Sequence, residues 1–331
     1  MPDSSPKPEI ITRLLEAVYP SFALVAGMVL DLFTPLEAGP LSLEQLSDAL
    51  GVQESKLRPL IYALVAGGLL TVEDDLFSNT AEAKHFLVHG KPSFMGGKGE
   101  LVATNWIRML KTAATIRAGE PPDIFDFHSK SQDDLELLFR GLYPGAVADG
   151  RRLMDQYDFS GYRTLLDAGG GSGGLAISLA RANPQLKATV LDLPTVTPIT
   201  KQFIDEAEVG ARVEIVAADA VRDVLTGSYG AVVARHVIQV LSEEDSRALL
   251  KNLAAVLKPR GTLYIIGWIL DDSRMSPDQT VGSNLVLLNT TKDGQAYTEG
   301  EYREWMKEAG FIDFERRVLP DGVSFVRAGI G

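Results

Sequence analysis

Five glycines crowd six consecutive residues, Gly169-Gly170-Gly171-Ser172-Gly173-Gly174, directly after the apolar run Thr164-Leu165-Leu166-Asp167-Ala168 and before the helical pattern Leu175 to Ala182. A strand that turns into a helix through glycines is a narrow constraint, because glycine supplies positive φ and lets backbone approach a ligand without a side chain in the way. Downstream, short apolar segments alternate with amphipathic ones: Lys187 to Leu191, Ile199 to Glu208, Val213 to Ala217, Ala231 to Ala234, Ser246 to Leu257, Thr262 to Ile266. That alternation predicts an α/β, Rossmann-like, doubly wound parallel sheet. Phe314 to Leu319 and Val323 to Ala328, around Pro320-Asp321-Gly322, predict an antiparallel hairpin on its edge.

The first third reads differently. From Ile10 to about Phe33 apolar residues recur at helical spacing on more than one face, so this helix demands burial all round. Ser42 with Gln45 makes a capping-box pattern opening a short helix that stops near Gly51. A second helix runs from about Glu54 to Ala66, with Gly67-Gly68 as its stop, and Leu69 to Ser78 reads as two strands around the acidic turn Asp74-Asp75. Helix, turn, helix, hairpin is a winged-helix arrangement, which elsewhere binds DNA through its second helix. Here that helix carries only Lys56 and Arg58, beside an acidic wing, so packing or dimerisation is the better reading. Several helices around Gly119-Glu120-Pro121-Pro122 then connect to, and partly roof, the α/β region.

Charge and composition narrow the partners. A net charge of -12 repels nucleic acid and anionic membrane alike, which leaves a small organic substrate. With no cysteine there is no disulfide, thiolate metal site or Cys nucleophile. Met1 to Ile10 lacks the pattern of a signal peptide, and no later run approaches the ~20 uninterrupted apolar residues of a membrane span, so a cytoplasmic protein is expected. Of the four histidines only His85 and His89 have helical ligand spacing, and without converging carboxylates they predict a solvated face rather than a metal site.

Gly169, Gly171 and Gly174 also satisfy the dinucleotide fingerprint, so the loop alone does not choose a cofactor. Asp192, closing the next strand, could accept ribose hydroxyls in either case. Asp167 discriminates: a strand-end carboxylate would repel a pyrophosphate at the helix start, whereas the cationic amino group of S-adenosylmethionine (SAM) welcomes it.

With these segments in place the chain resembles the plant and bacterial O-methyltransferase family that joins a winged-helix dimerisation domain to a class I SAM domain. The matching stretches span nearly the whole length: the N-terminal helical module, Asp167 to Gly174, Leu191-Asp192-Leu193-Pro194, Ala218-Asp219-Ala220, Arg235 to Asp245, Leu257 to Gly261, and Thr298 to Phe311. The resemblance implies three parts, 1–100 for dimerisation, 101–160 as linker and pocket roof, and 161–331 for SAM and its product S-adenosylhomocysteine. It implies that Gly169 and Gly171 line the methionine part, with Asp167 nearby. Asp192 and its neighbour Leu193 would hold the ribose, Asp219 and Ala220 flank the adenine, and Arg235 reach the cofactor carboxylate. For Asp219 a plain turn role gives the same sequence.

The chemistry departs from that family. Where its members carry the His that takes the substrate proton, this chain has Gln239, which has no useful basicity. Two supporting acids of the plant enzymes are also replaced, by Gly267 and Ala296. The pocket would then be lined by His236, Gln239, Tyr143, Phe139, Asn105, Trp106, Trp268, Asn284 and Asn289. His236 could serve as base or as a packed imidazole, Gln239 could position a substrate oxygen, and Tyr143 four residues after Phe139 is also what core packing gives. Trp268 could be an aromatic wall or core. Proximity alone can drive transfer from a sulfonium. The expected protein is a homodimeric SAM-dependent methyltransferase acting on a small planar aromatic or enolic metabolite, with an amine or ring nitrogen, an ionised phenol or enol oxygen, or a stabilised carbanion as the acceptor. A non-methylating SAM enzyme (a hydroxylase or rearrangement catalyst) and a winged-helix regulator stand as alternatives.

Overall fold

A computed structural model describes residues 6–91 and 93–331, which form two units, one ending at Thr104 and the other running from Asn105 to Gly331. The first five residues of the Met1 to Ile10 segment lie outside the described residues.

The first unit opens with helices α1 (Glu9–Glu16) and α2 (Val18–Val29), followed by strand β1 (Leu41–Ser42), α3 (Leu43–Leu50), α4 (Glu54–Ala66), β2 (Leu70–Glu73), β3 (Leu76–Asn79) and α5 (Ala81–Phe86). Both halves of the capping box at Ser42 and Gln45 form, and Gly51 closes α3 in the left-handed conformation. Asp74 and Asp75 both take positive φ, which lets a two-residue turn join β2 to β3, and β1 pairs on the other side of β3. This winged-helix core is packed around Leu46, Leu57, Ile61, Leu64, Leu70 and Phe77.

The long first helix departs from expectation in two ways. It is broken at Ala17, and it is not buried all round: α1 contributes no buried residue and α2 only Ala23 and Gly27. Ile10, Ile11, Leu14 and Leu15 are each more than 60% exposed. By length and composition Glu9–Val29 could also cross a bilayer, a test that core helices of soluble proteins pass as well. His85 lies in the last turn of α5 and His89 beyond it, so the two do not share a helix face; among the described residues no three potential metal ligands cluster.

The unit boundary falls within α6 (Lys98–Met109). The second unit continues with α7 (Thr112–Ala118), α8 (Gln132–Gln156), β4 (Thr164–Ala168), α9 (Gly174–Ala182), β5 (Lys187–Asp192), α10 (Thr197–Glu206), β6 (Val213–Ala217), β7 (Tyr229–Arg235), α11 (Glu243–Ala255), β8 (Leu257–Gly267), α12 (Asp278–Thr290), α13 (Glu299–Glu308), β9 (Phe311–Val318) and β10 (Ser324–Ile330). Its sheet has the order β6-β5-β4-β7-β8-β10-β9, parallel up to β8, with the closing hairpin antiparallel at one edge. Residues alternate between the two faces of the sheet: Leu165, Ala231, Val233, Tyr264 and Ile266 join one apolar core, while Leu166, Ala168, Val232, Ala234, Leu263 and Ile265 join the other. Alternation within strands apolar on both faces is what a doubly wound sheet requires. The strand order reverses between β4 and β7, and ligands of such sheets bind outside the carboxyl ends of the strands at that switch.

Candidate active site

At the end of β4 the chain enters the glycine loop, where Gly169, Gly171 and Gly173 all have positive φ. The space is as demanding as the torsions. A Cβ on Gly169 would stand 2.5 Å from Val237, and one on Gly171 2.4 Å from the ring of Phe139. Gly174, which starts α9, packs against Tyr143 and Ala146. Phe139 and Tyr143, one turn apart on α8, therefore both lie against this loop. Tyr143 stacks on Phe203 at 4.6 Å between centroids, and burial raises its phenol above the usual range.

Two carboxylates shape the loop. Asp192, at the end of β5, accepts the N–H of Gly171 through Oδ2 at 2.7 Å and the N–H of Leu193 through Oδ1 at 2.8 Å. Burial pushes its carboxyl up to about 6 against the pull of those two bonds. Asp167 is fully buried inside β4. Its Oδ2 accepts the N–H of Ala176 in the first turn of α9 at 3.3 Å, while its Oδ1 is sealed from solvent with no hydrogen-bond partner. Burial pushes this carboxyl up to about 7, opposed by the nearby Arg235 guanidinium and the Ala176 bond. A buried carboxylate oxygen beside a glycine cradle, left without a donor, fits a cationic ligand group far better than a phosphate.

Arg235, at the end of β7, is held from α8: its Nε donates to Asp149 Oδ2 at 2.7 Å. The other Asp149 oxygen accepts from Arg152, whose Nη2 reaches Asp321 in the β9–β10 turn at 2.6 Å. Asp149 was not singled out from sequence. The signal was present nonetheless, since it occupies an apolar position of α8 between Ala146 and Leu153, and all three are buried.

Beyond Arg235 the chain turns sharply. His236 has a φ of 56°, and its ring meets Trp268 edge-on at 5.6 Å. Its Nδ1 lies 3.1 Å from Oε1 of Gln239, and its Nε2 lies 4.0 Å from Asp149. Burial, reinforced by Arg235, lowers its imidazole to about 4. Gln239 sits in the short turn Ile238–Val240, 4% exposed, and its Oε1 also accepts the backbone N–H of Trp268 at 2.9 Å.

The remaining sequence-selected residues are placed less centrally. Asp219 accepts the N–H groups of Val221 and Arg222, so its carboxylate builds the turn after β6, and the Ala220 carbonyl accepts from Asn252. Asn289 is spent on structure: buried to 2%, it accepts from Thr115 and donates to Thr112, pinning α7 to α12. Asn284 Oδ1 holds the N–H of Ala296. Neither asparagine is brought to Gln239 by any hydrogen bond, though Asn284 lines a cavity of about 500 Å³ with Thr115, Leu285, Leu288 and Gln295. Trp106 lies on α6.

Residues 104–312 match the O-methyltransferase domain and residues 12–89 the O-methyltransferase dimerisation domain. The chain belongs to the O-methyltransferase family. It is 30% identical over 332 residues to a 3-hydroxy-5-methyl-1-naphthoate 3-O-methyltransferase of Streptomyces sahachiroi, covering 98% of this chain and 95% of that one. It is 28% identical over 313 residues to the N,N-dimethyltransferase OxyT of Streptomyces rimosus, covering 91% and 90%. The fold is that of human N-acetylserotonin methyltransferase in complex with SAM, with a TM-score of 0.88, 22% identity and full coverage of both chains. This family of small-molecule methyltransferases is SAM-dependent, and the orphaned oxygen of Asp167 and the glycine cradle fit that cofactor.

Proposed function

We propose that this protein transfers the methyl group of SAM to a small, planar aromatic or enolic metabolite of secondary metabolism, through orientation rather than a histidine general base. When bound, SAM supplies a methyl carbon on a sulfonium. The chain's own residues would do the rest. Asp167 Oδ1 would receive the cofactor ammonium, Asp192 and Leu193 face the ribose, Asp219 and Ala220 flank the adenine, and Arg235, steadied by Asp149, meet the cofactor carboxylate. Gly169 and Gly171 give the methionine part its passage. Phe139 and Tyr143 would close the methyl-donor end. His236, Gln239, Trp268, Asn284 and Trp106 would line the acceptor pocket, with Asn289 supporting its wall from behind. Holding acceptor and methyl in line can supply much of the acceleration, so losing the base at position 239 does not forbid transfer.

The observation that carries this reading is the buried, unpartnered oxygen of Asp167 against the glycine loop. Calorimetric titration with SAM, S-adenosylhomocysteine and NAD tests it: saturable binding of the first two alone is expected, and binding of NAD alone would overturn it. The engagement of Gln239 by His236 and Trp268 also supports a second reading, a non-methylating SAM enzyme. Product formation without S-adenosylhomocysteine would select that reading. The exposed apolar face of α1 and α2, largely within the segment matching the dimerisation domain, supports a homodimer.

A further inference from the structure

We propose that Gln239 is a fixed hydrogen-bond donor that receives the acceptor oxygen of the substrate in its ionised form, so that this enzyme takes acidic phenols and enols rather than neutral alcohols. The inference rests on the methyltransferase reading above and deepens it.

The orientation of the amide follows from its neighbours. A backbone N–H can only donate, so the atom that faces Trp268 N at 2.9 Å is the glutamine oxygen. The reverse orientation would set an NH2 against an N–H. Gly267 makes room for this inward turn, since a Cβ there would stand 3.1 Å from Oε1. The same oxygen lies 3.1 Å from Nδ1 of His236, which must then carry its proton. With Oε1 occupied twice, the amide nitrogen is what Gln239 has left to offer. It donates to no described residue and, unlike Oδ1 of Asp167, is not sealed without a partner.

A neutral hydroxyl placed there would accept from this nitrogen and still need somewhere to send its proton. With Nδ1 protonated, the free ring nitrogen of His236 is Nε2, which is faced by Asp149 from α8, by Asp321 from the β9–β10 turn, and by Arg235 beside it; burial and Arg235 leave it too weakly basic to keep a phenolic proton. A phenolate or enolate has already released that proton to solvent. Its oxygen supplies the electron pair of the new O–CH3 bond, the S–CH3 pair returns to sulfur, and nothing remains for a base to remove.

Two measurements on the full-length protein test this. With 15N-labelled histidine, the four side chains are resolved by NMR, and His236 is expected as the neutral Nδ1–H tautomer between pH 6 and pH 8, a preference lost in Gln239→Leu. An Nε2–H tautomer in the unsubstituted protein would overturn the amide orientation. In the second, 4-nitro-1-naphthol is titrated with pH in the presence of S-adenosylhomocysteine and followed by absorbance. The bound probe is expected to ionise about one pH unit or more below its free value, a tenfold gain in the ratio of ionised to neutral form. Gln239→Leu should abolish the shift and Gln239→Glu reverse it. An unshifted or raised ionisation, or no binding of the probe at millimolar concentration, would overturn the proposal. Absence of S-adenosylhomocysteine binding would instead sink the methyltransferase reading and leave the tautomer result standing.

Discussion

Two carboxylates near the glycine loop have opposite duties, and single substitutions separate them. Asp192 holds the loop through two N–H groups. Asp192→Ala removes two charge-assisted bonds of about 1.5–3 kcal/mol each, so S-adenosylhomocysteine affinity should fall by about 100-fold or more by calorimetry; unchanged affinity would refute its placement. In Asp167, burial instead favours the protonated form. An aspartate titrates near ~4 when unfolded, and this one titrates at about 7 when folded. The native state therefore holds the extra proton, and stability from this group is full below the unfolded value and lost as pH rises toward the folded one. Asp192, raised to about 6, acts in the same direction. Without ligand, the melting temperature should decline from pH 5 to pH 8, with a flatter profile in Asp167→Asn. S-adenosylhomocysteine should raise it more at pH 8 than at pH 5, because its ammonium pairs with the ionised carboxylate.

Among the elements, β4, β6 and α4 fall at the bounds their sequence patterns predict, because an apolar run in β4, a mostly apolar run in β6 and a one-sided apolar face in α4 are each closed by glycine or a turn. Helices α12 and α13 lie outside the segments whose sequence pattern predicts an element. The first has apolar residues scattered round its circumference, and its anchor is polar, Asn289 between Thr112 and Thr115. Asparagine in a helix signals nothing about a partner almost 180 residues earlier in the chain, which is why a pocket role was the natural reading. Asn289→Ala would leave the buried Thr115 hydroxyl without its acceptor, while Thr112 keeps its bond to the Met109 carbonyl, costing about 1–3 kcal/mol. Urea unfolding should show that loss with cofactor affinity retained. The glycine loop and the two carboxylates beside it were legible because they are local, a strand, a loop and a strand end. The inward turn of Gln239 was not, since it depends on the Trp268 amide and the space above Gly267.

At the scale of the molecule, the exposed leucines and isoleucines of α1 form an apolar face that water does not favour, and a second copy of the chain is the occupant the dimerisation segment supports. Sedimentation should give twice the 35.8 kDa chain mass, and Ile11→Asp with Leu15→Asp should yield monomer or aggregate. A stable monomer before substitution would count against the dimer. The order of the sheet carries a further consequence, for time rather than for strength. β4 pairs with β7 as well as β5, Leu165 lying beside Ala231, so the crevice exists only once the whole stretch between them has folded back. Closing so long a loop is slow compared with winding the helices around it. During refolding, then, helical signal should return first, and the capacity to bind S-adenosylhomocysteine should arrive in a distinct later phase.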